Sequence, residues 1–327
     1  MSREQLQQRL QAALGDAYAI ERELPRGGMS RVFLALENAL HRHVVLKVLS
    51  PDVAATLSTE RFKREISLAA RLQHPHIVPL LNAGVAGGYL YYTMPWVDGE
   101  SLRERMARQR LMPALDVARI LEEVAGALDY AHSEGIIHRD IKPENVMFFH
   151  ERAVVLDFGI GKALSASVRA EDDVHGRITQ SGMSLGTPAY ISPEQASGDP
   201  DLDHRTDLYA LGVVAYEMLT GHQPFTGKSP QAVMAAHAKQ DPEPIERRRG
   251  DVPTELRAIV MRCLAKRPSD RPARAGDIVQ AIGHTPAAGT RTAPAGSLLA
   301  RVPVWVPWAI AALATALALF FALRRPP

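Results

Sequence analysis

The chain has a single cysteine, Cys263, in 327 residues. That excludes an intrachain disulfide and a cysteine-built zinc cage, and it fits a reducing compartment. Charge of one sign is also missing: 38 Lys and Arg stand against 36 Asp and Glu, a net of +2. Neither that balance nor any basic stripe with interleaved aromatics argues for nucleic acid. The cluster Arg247-Arg248-Arg249 reads as solvated surface. The twelve histidines fall into no metal-ligand spacing, and no internal repeat is visible. Residues 2–14, rich in Gln, Arg and Glu, lack the apolar centre of a secretion signal.

What is present divides the chain. Residues 2–14 predict a short amphipathic helix, with Leu6, Leu10, Ala13 and Leu14 on one side, packing on the domain C-terminal to it. Tyr18 to Leu49 reads as strands, with the turn Pro25-Arg26-Gly27-Gly28-Met29-Ser30 between two of them. Glycines there let backbone amides approach a phosphate, although a Gly-Gly pair alone is a common hairpin turn. The run from His43 to Leu49 is β-like and apolar but for Lys47. A lysine there is costly unless it meets an anion or points to water. Residues 59–72 predict a helix with Phe62, Ile66, Ala69 and Ala70 at core spacing and Glu65 near its middle. Tyr89 to Met94 is a further strand.

After Pro95-Trp96-Val97-Asp98-Gly99 the pattern turns helical, at about 101–109, 113–134, 206–219, 229–239, 254–265 and 275–283. A hairpin over Val146–Phe149 and Ala153–Leu156 interrupts it. The class is therefore α+β, with a β-rich part, a helical part and a boundary near residue 95. Residues 160–190 carry little hydrophobic periodicity, and a stretch that long is usually functional or mobile.

The densest chemistry lies in Ile137-His138-Arg139-Asp140-Ile141-Lys142-Pro143-Glu144-Asn145. It sets a carboxylate, an ammonium and a carboxamide within six positions. Transfer of a phosphoryl group to a hydroxyl uses all three: Asp140 to accept the proton, Lys142 to neutralise the moving phosphate, Asn145 to hold a magnesium ion.

With Val44-Val45-Leu46-Lys47, Glu65, Asp157-Phe158-Gly159, the segment Gly186 to Glu194 and Asp207, this string resembles a bacterial, eukaryotic-like Ser/Thr protein kinase. The resemblance covers residues 18–283 and implies the bilobal kinase fold: N-lobe 18–94, hinge 95–97, C-lobe 98–283. It implies ATP and Mg2+ as cofactors, with Mn2+ as a substitute, and protein Ser/Thr hydroxyls as acceptors. Lys47 would hold the α/β-phosphates and Glu65 would orient Lys47. Asn145 and Asp157 would ligate the metal. Leu24, Gly27, Gly28 and Ser30 would line the phosphate loop. Met94 would be the gatekeeper, and Pro95 and Val97 would read the adenine edge, with Val32, Val45 and Met147 around the ring. Asp207 would anchor the catalytic loop, and Glu194 would pair with Arg271. Ser192 stands where alanine is common before Pro-Glu, and serine there is frequent in the bacterial branch. Pro25 and Ser30 replace two loop glycines, which implies weaker or slower nucleotide handling. An ATP-binding pseudokinase or scaffold, resting on Pro25 alone, is the alternative reading. A small-molecule phosphotransferase would lack the segment from Gly186 to Glu194.

The resemblance also implies regulation. Arg139 would receive a phosphate from the activation loop, with Thr179 and Ser181 as acceptors, and Thr187 would face the substrate. Beyond a helix and its connection at 1–17 and the kinase domain, residues 284–301 read as an Ala/Gly/Pro/Thr-rich linker. No charge occurs from Val302 to Leu323, and residues 304–323 would span roughly 30 Å as a helix, about one hydrocarbon core. Trp305 and Trp308 sit at one end, and Arg324-Arg325 open the four-residue tail 324–327. A single-pass transmembrane helix with the kinase on the cytoplasmic side is expected. The implied partners are ATP, protein substrates, membrane lipid and a second copy for trans-autophosphorylation.

Overall fold

The computed structural model describes residues 3–25, 30–49, 59–158 and 188–283. The chain divides into a compact unit of residues 1–286 and a second of residues 287–327. Gly27, Gly28, Gly159, Thr179, Ser181, Thr187, the expected linker and the expected span lie outside the described residues.

The N-terminal lobe is a five-stranded antiparallel sheet in the order β1-β2-β3-β5-β4. Its strands are β1 (Tyr18–Leu24), β2 (Ser30–Glu37), β3 (Arg42–Leu49), β4 (Asn82–Ala86) and β5 (Tyr89–Pro95). Side chains alternate across a strand, so β3 serves two cores at once. Val44, Leu46 and Val48 face one side, where they pack with Phe33 and Ala35 under α1 (Arg3–Leu14). Val45 and Leu49 face the other side, where they pack with Phe62 and Ile66 of α2 (Thr59–Ala69). Burial on both faces is why β3 reads as an almost unbroken apolar run.

The helix α1 covers the outer face through Leu6, Leu10 and Leu14, all buried, while Ala13 is exposed. Gln11 fastens it to the sheet edge: its Oε1 accepts from the Ile20 amide at 2.8 Å and its Nε2 donates to the Tyr18 carbonyl at 2.9 Å. One carboxamide thus satisfies both kinds of orphan group on an edge strand. The helix α2 stops at Ala69, short of the expected Leu72. The chain leaves it through tighter turns, with Arg71 N donating to Leu68 O and Leu72 N to Ala69 O.

The C-terminal lobe is helical. Its elements are α3 (Leu102–Arg108), α4 (Ala114–Ser133), α5 (Pro193–Ala196), α6 (Arg205–Thr220), α7 (Pro230–Lys239), α8 (Ile245–Arg248), α9 (Thr254–Cys263) and α10 (Gly276–Gly283), with a hairpin of β6 (Val146–Phe149) and β7 (Arg152–Val155). A capping box starts α3: the Ser101 hydroxyl accepts from the Glu104 amide, and the Glu104 carboxylate accepts from the Ser101 amide. The centre is α6, in which every residue from Thr206 to Thr220 is buried. Its strongly apolar sequence fits a helix with no solvent face, and its few charged residues, Asp207 and Glu217, are buried with it. It ends at Gly221, whose φ is 72° and where a Cβ would stand 2.6 Å from the Arg110 carbonyl oxygen. Among the described residues, no helix is long and apolar enough to cross a membrane.

Candidate active site

A buried carboxylate organises the loop that carries Asp140. Asp207, in the first turn of α6, accepts the amides of His138 at 2.8 Å and Arg139 at 2.7 Å, and His132 Nε2 at 2.9 Å. Burial pushes the Asp207 carboxyl up. The hydrogen bond and charge of His132 and the Arg139 amide outweigh it and hold the group below its ordinary range. These bonds keep Arg139 at φ 68°, a left-handed conformation costly for a side chain of that size. The buried His138 ring accepts the Asp140 amide at Nδ1, 3.2 Å, so its Nε2–H donates to the Leu156 carbonyl at 2.7 Å. Phe158 packs edge-on against that ring, with centroids 4.8 Å apart.

So held, Asp140 stands with its side chain 48% exposed, open to an incoming group. Lys142 Nζ donates to its Oδ2 at 2.7 Å. Asn145 Nδ2 donates to the same oxygen at 3.0 Å and to the Asp140 carbonyl at 2.8 Å. Of the three groups that the sequence sets within six positions, the ammonium and the carboxamide therefore converge on one oxygen of the carboxylate. With its nitrogen committed to Asp140, Asn145 has its Oδ1 left as the atom for a cation.

Strand register builds the opposite wall. Val32 pairs with Lys47 across β2 and β3, and Lys47 pairs with Tyr92 across β3 and β5. Val45 pairs with Met94 in the next row on the same face. Leu24, Val32, Val45, Met94, Val97 and Met147 belong to one hydrophobic cluster, together with Leu156. The residues expected around an adenine ring are thus brought together from both lobes. Ser30 opens β2 opposite Leu49, and Pro95 ends β5 opposite Val44. Gly99, just after this hinge, is closely packed: a Cβ there would lie 2.0 Å from the Phe148 carbonyl oxygen.

One expected pairing is corrected. Lys47 Nζ donates to Asp157 Oδ2 at 2.7 Å; its carboxylate partner is Asp157 and not Glu65. The side chains of Lys47 and Asp157 are 15% and 8% exposed, whereas Glu65, on α2, is half-buried. Attraction strengthens as water is removed, and the drier carboxylate holds the ammonium. Tyr92, fully buried, donates its hydroxyl to Asp157 Oδ1 at 2.9 Å, and Asp157 has φ 65°. Tyr92 is not among the residues that the sequence motifs single out. Its signal was a hydroxyl at a core-facing position, two residues before Met94 and on the same face.

The expected pair of Glu194 and Arg271 forms in full. Arg271 Nη1 and Nη2 reach the two carboxylate oxygens at 2.6 and 2.8 Å. The remaining donors go to the carbonyls of Ala265, Arg205 and Lys266 at 2.9, 2.9 and 3.1 Å. All five guanidinium N–H groups are thereby used on a side chain with no solvent exposure. Ser192 has a local reason as well: it caps α5 by accepting from the Gln195 amide. Gln195 Nε2 in turn donates to the Arg139 carbonyl at 3.0 Å, tying α5 to the loop that carries Asp140.

Asn145 and Asp157 offer hard oxygen atoms suited to a divalent cation. No group of three or more His, Cys, Asp and Glu among the described residues forms a protein-only cage. A cation held here would complete its shell with phosphate and water oxygens, as magnesium commonly does.

A β-rich lobe thus stands over a helical one, with a lysine above and an aspartate–lysine–asparagine trio below: a bilobal fold with a cleft between its lobes. Residues 18–285 match the protein kinase domain family, and the chain belongs to it. It is 43% identical over 264 residues to the serine/threonine-protein kinase PknB of Mycolicibacterium smegmatis, covering 79% of this chain and 41% of that protein. It is 40% identical over 267 residues to the serine/threonine-protein kinase pkn3 of Myxococcus xanthus, covering 79% and 48% respectively. The chain thus spans less than half the length of these curated relatives. The fold is also that of the crystal structure of Rad53 1-466 in complex with AMP-PNP, with a TM-score of 0.64 at 23% identity, covering 80% of this chain and 64% of that one.

Proposed function

We propose that this protein is a Ser/Thr protein kinase that transfers the γ-phosphoryl group of ATP to protein hydroxyls. The observation that carries the reading is the convergence of Lys142 and Asn145 on the exposed carboxylate of Asp140. The acceptor oxygen bonds to phosphorus, the bond from phosphorus to ADP breaks, and the hydroxyl proton passes to Asp140. Lys142 stands beside Asp140 to meet the charge on the transferred group. Lys47 faces the phosphates from the other lobe. Mg2+, with Mn2+ as a substitute, would sit on Asn145 Oδ1 and Asp157 and supply charge neutralisation to the phosphates. Catalysis of this kind is positioning and electrostatics, and each placed group contributes on the order of 10²–10⁴ in rate.

Leu24, Val32, Val45, Met94, Val97 and Met147 are the proposed adenine surface, supported by their common cluster. Gly27, Gly28 and Ser30 are the proposed phosphate loop. Thr179 and Ser181 are the proposed autophosphorylation sites, with Arg139 as their receiver and Thr187 facing the substrate. The uncharged stretch 302–323 is the proposed membrane anchor, keeping the kinase on the cytoplasmic side and close to a second copy.

The test compares wild type with Asp140→Asn for phosphate incorporation from Mg-ATP, followed by phosphosite mapping. Nucleotide affinity is measured alongside. Loss of incorporation with nucleotide binding retained supports the reading; equal incorporation by both proteins sinks it.

A further inference from the structure

A buried imidazole that the proposed chemistry does not use stands behind the turn Pro188–Tyr190. His237, on α7, has no solvent exposure. The helix α7 packs against that turn and against α5. Both belong to the stretch that ends at Ala196 and begins beside the proposed substrate-facing Thr187. The ring is caged on its other sides. The Tyr209 hydroxyl, from α6, lies 2.9 Å from Nδ1. The Phe225 ring tilts against the imidazole with centroids 4.7 Å apart. Lys266 Nζ sits 3.9 Å from the Phe225 centroid and donates to the His237 carbonyl at 2.8 Å.

The cage fixes where the ring carries its hydrogen. Burial pushes the Tyr209 phenol up, so it keeps its proton, and His237 Nδ1 is the acceptor that it meets. Burial, and next the Lys266 charge, hold the His237 pKa down at about 4, so the ring is neutral. A neutral imidazole that accepts at Nδ1 carries its hydrogen on Nε2. That Nε2 is buried and has no hydrogen-bond partner among the described residues. An unpaired buried N–H is costly, and native structures seldom keep one without a use. From the turn, the Ala189 backbone acts on the ring as a carbonyl acceptor does, raising its pKa against burial. The donor is thus in place, dry and just short of its acceptor.

We infer that His237 is a positioning residue for the protein acceptor: its Nε2–H closes on the Ala189 carbonyl when an acceptor peptide lies on the turn Pro188–Tyr190, and so fixes that turn against α7. The inference rests on the protein kinase reading above and adds to it a residue that supports acceptor binding without touching acceptor, ATP or cation. A hydrogen bond completed only in the peptide-bound state contributes to peptide affinity. It leaves ATP alone, because the proposed nucleotide contacts, Lys47, Asp157 and the cluster around Val45 and Met94, do not include α7.

The experiment uses the full chain as wild type, His237→Asn and His237→Gln. The probe is a labelled peptide of residues 174–186 of this chain, which carries the proposed acceptors Thr179 and Ser181. An asparagine carboxamide reaches only as far as Nδ1 and keeps the Tyr209 contact, whereas a glutamine amide reaches as far as Nε2. With Mg-ATP, His237→Asn should raise the KM for peptide about fivefold, the scale of one neutral hydrogen bond, with kcat and the KM for ATP within about twofold. His237→Gln should stay within about twofold of wild type in all three, because its donor is restored. Anisotropy of the peptide without ATP should rank the three proteins in the same way. In protein labelled with 15N at histidine, the Nε2–H signal that both variants lack should move downfield when the peptide is added to wild type. A merely structural role would lower kcat and raise both KM values together, and would leave that signal still. If wild type transfers no phosphate to the peptide or to itself, the kinase reading fails, and the anisotropy and the 15N signal still decide this inference. Where His237→Asn does not fold, the wild-type 15N signal decides it. Unchanged peptide affinity in the folded asparagine variant, equal losses in both variants, or an Nε2–H signal that ignores the peptide would overturn the inference.

Discussion

Lys47 Nζ and Asp157 Oδ2 stand 2.7 Å apart, although the two residues are separated by 110 positions. The contact joins the β-rich lobe to the segment after β7, and Tyr92 completes it from the other carboxylate oxygen at 2.9 Å. Three strands in register and one loop meet at this point. It is also where ATP phosphates and their cation would be received.

Tyr92→Phe should therefore act through Asp157. The ring remains in its core position while Oδ1 loses its donor. Hydrogen bonds to charged groups are worth roughly 1.5–3 kcal/mol, and the fold should lose about 1–2 kcal/mol in urea titration. The KM for ATP should shift more than the KM for peptide. No change in either stability or nucleotide affinity would show that Asp157 does not depend on the Tyr92 hydroxyl.

Asp207→Asn should separate turnover from binding. An asparagine keeps one acceptor oxygen where the aspartate uses both on the amides of His138 and Arg139. The left-handed Arg139 then loses part of its support, and Asp140 loses its setting. The expected result is kcat lower by about 100-fold with ATP affinity within about twofold, since positioning governs the chemical step. Single-turnover kinetics and nucleotide titration give the two numbers.

Arg271→Met removes all five hydrogen bonds of a fully buried guanidinium and strands Glu194. Breaking one side of a buried pair costs about 3–5 kcal/mol. The single variant should lose that much in thermal or urea unfolding. Pairing it with Glu194→Gln should restore a measurable part, because the orphaned charge is gone. A double variant no better than the single one would place the loss in the carbonyl contacts of Ala265, Arg205 and Lys266.

His237 predicts a pH dependence. It is fully buried on α7, its Nδ1 is 2.9 Å from the Tyr209 hydroxyl, and Lys266 Nζ lies on its carbonyl at 2.8 Å. Burial, then the Lys266 charge, push its pKa down to about 4 from 6.5, against an opposing pull from the Ala189 backbone. As pH falls below 6.5 the unfolded chain takes up a proton that the native chain refuses, so stability falls until about pH 4. Between pH 7 and pH 5 this group alone should remove about 2 kcal/mol. His237→Gln should flatten that part of the curve in urea titrations at the two pH values. An identical slope in the variant would assign the effect to another group.

Much of the site was legible in sequence because its groups are close along the chain or sit on regular elements. Asp140, Lys142 and Asn145 lie on one turn. Phe62 and Ile66 mark the buried face of a helix by their spacing, and the strongly apolar run of α6 announced itself as a core helix. The pairing of Glu194 with Arg271 was legible only through the family resemblance, since 77 positions separate the two. The role of Tyr92 was hidden, because a tyrosine inside a β run looks like ordinary strand composition.

By itself, the sequence determined the order of lobes, most of the helices and strands, the grouping of Asp140, Lys142 and Asn145 and the family, since these depend on periodicity and on short-range spacing. Only the tertiary structure decided which carboxylate holds Lys47 and what pins Arg139 in its strained conformation. Those outcomes depend on burial and on charges brought together from distant positions. Electrostatic attraction is strong only where folding has removed the water, and no local pattern of residues records where that is.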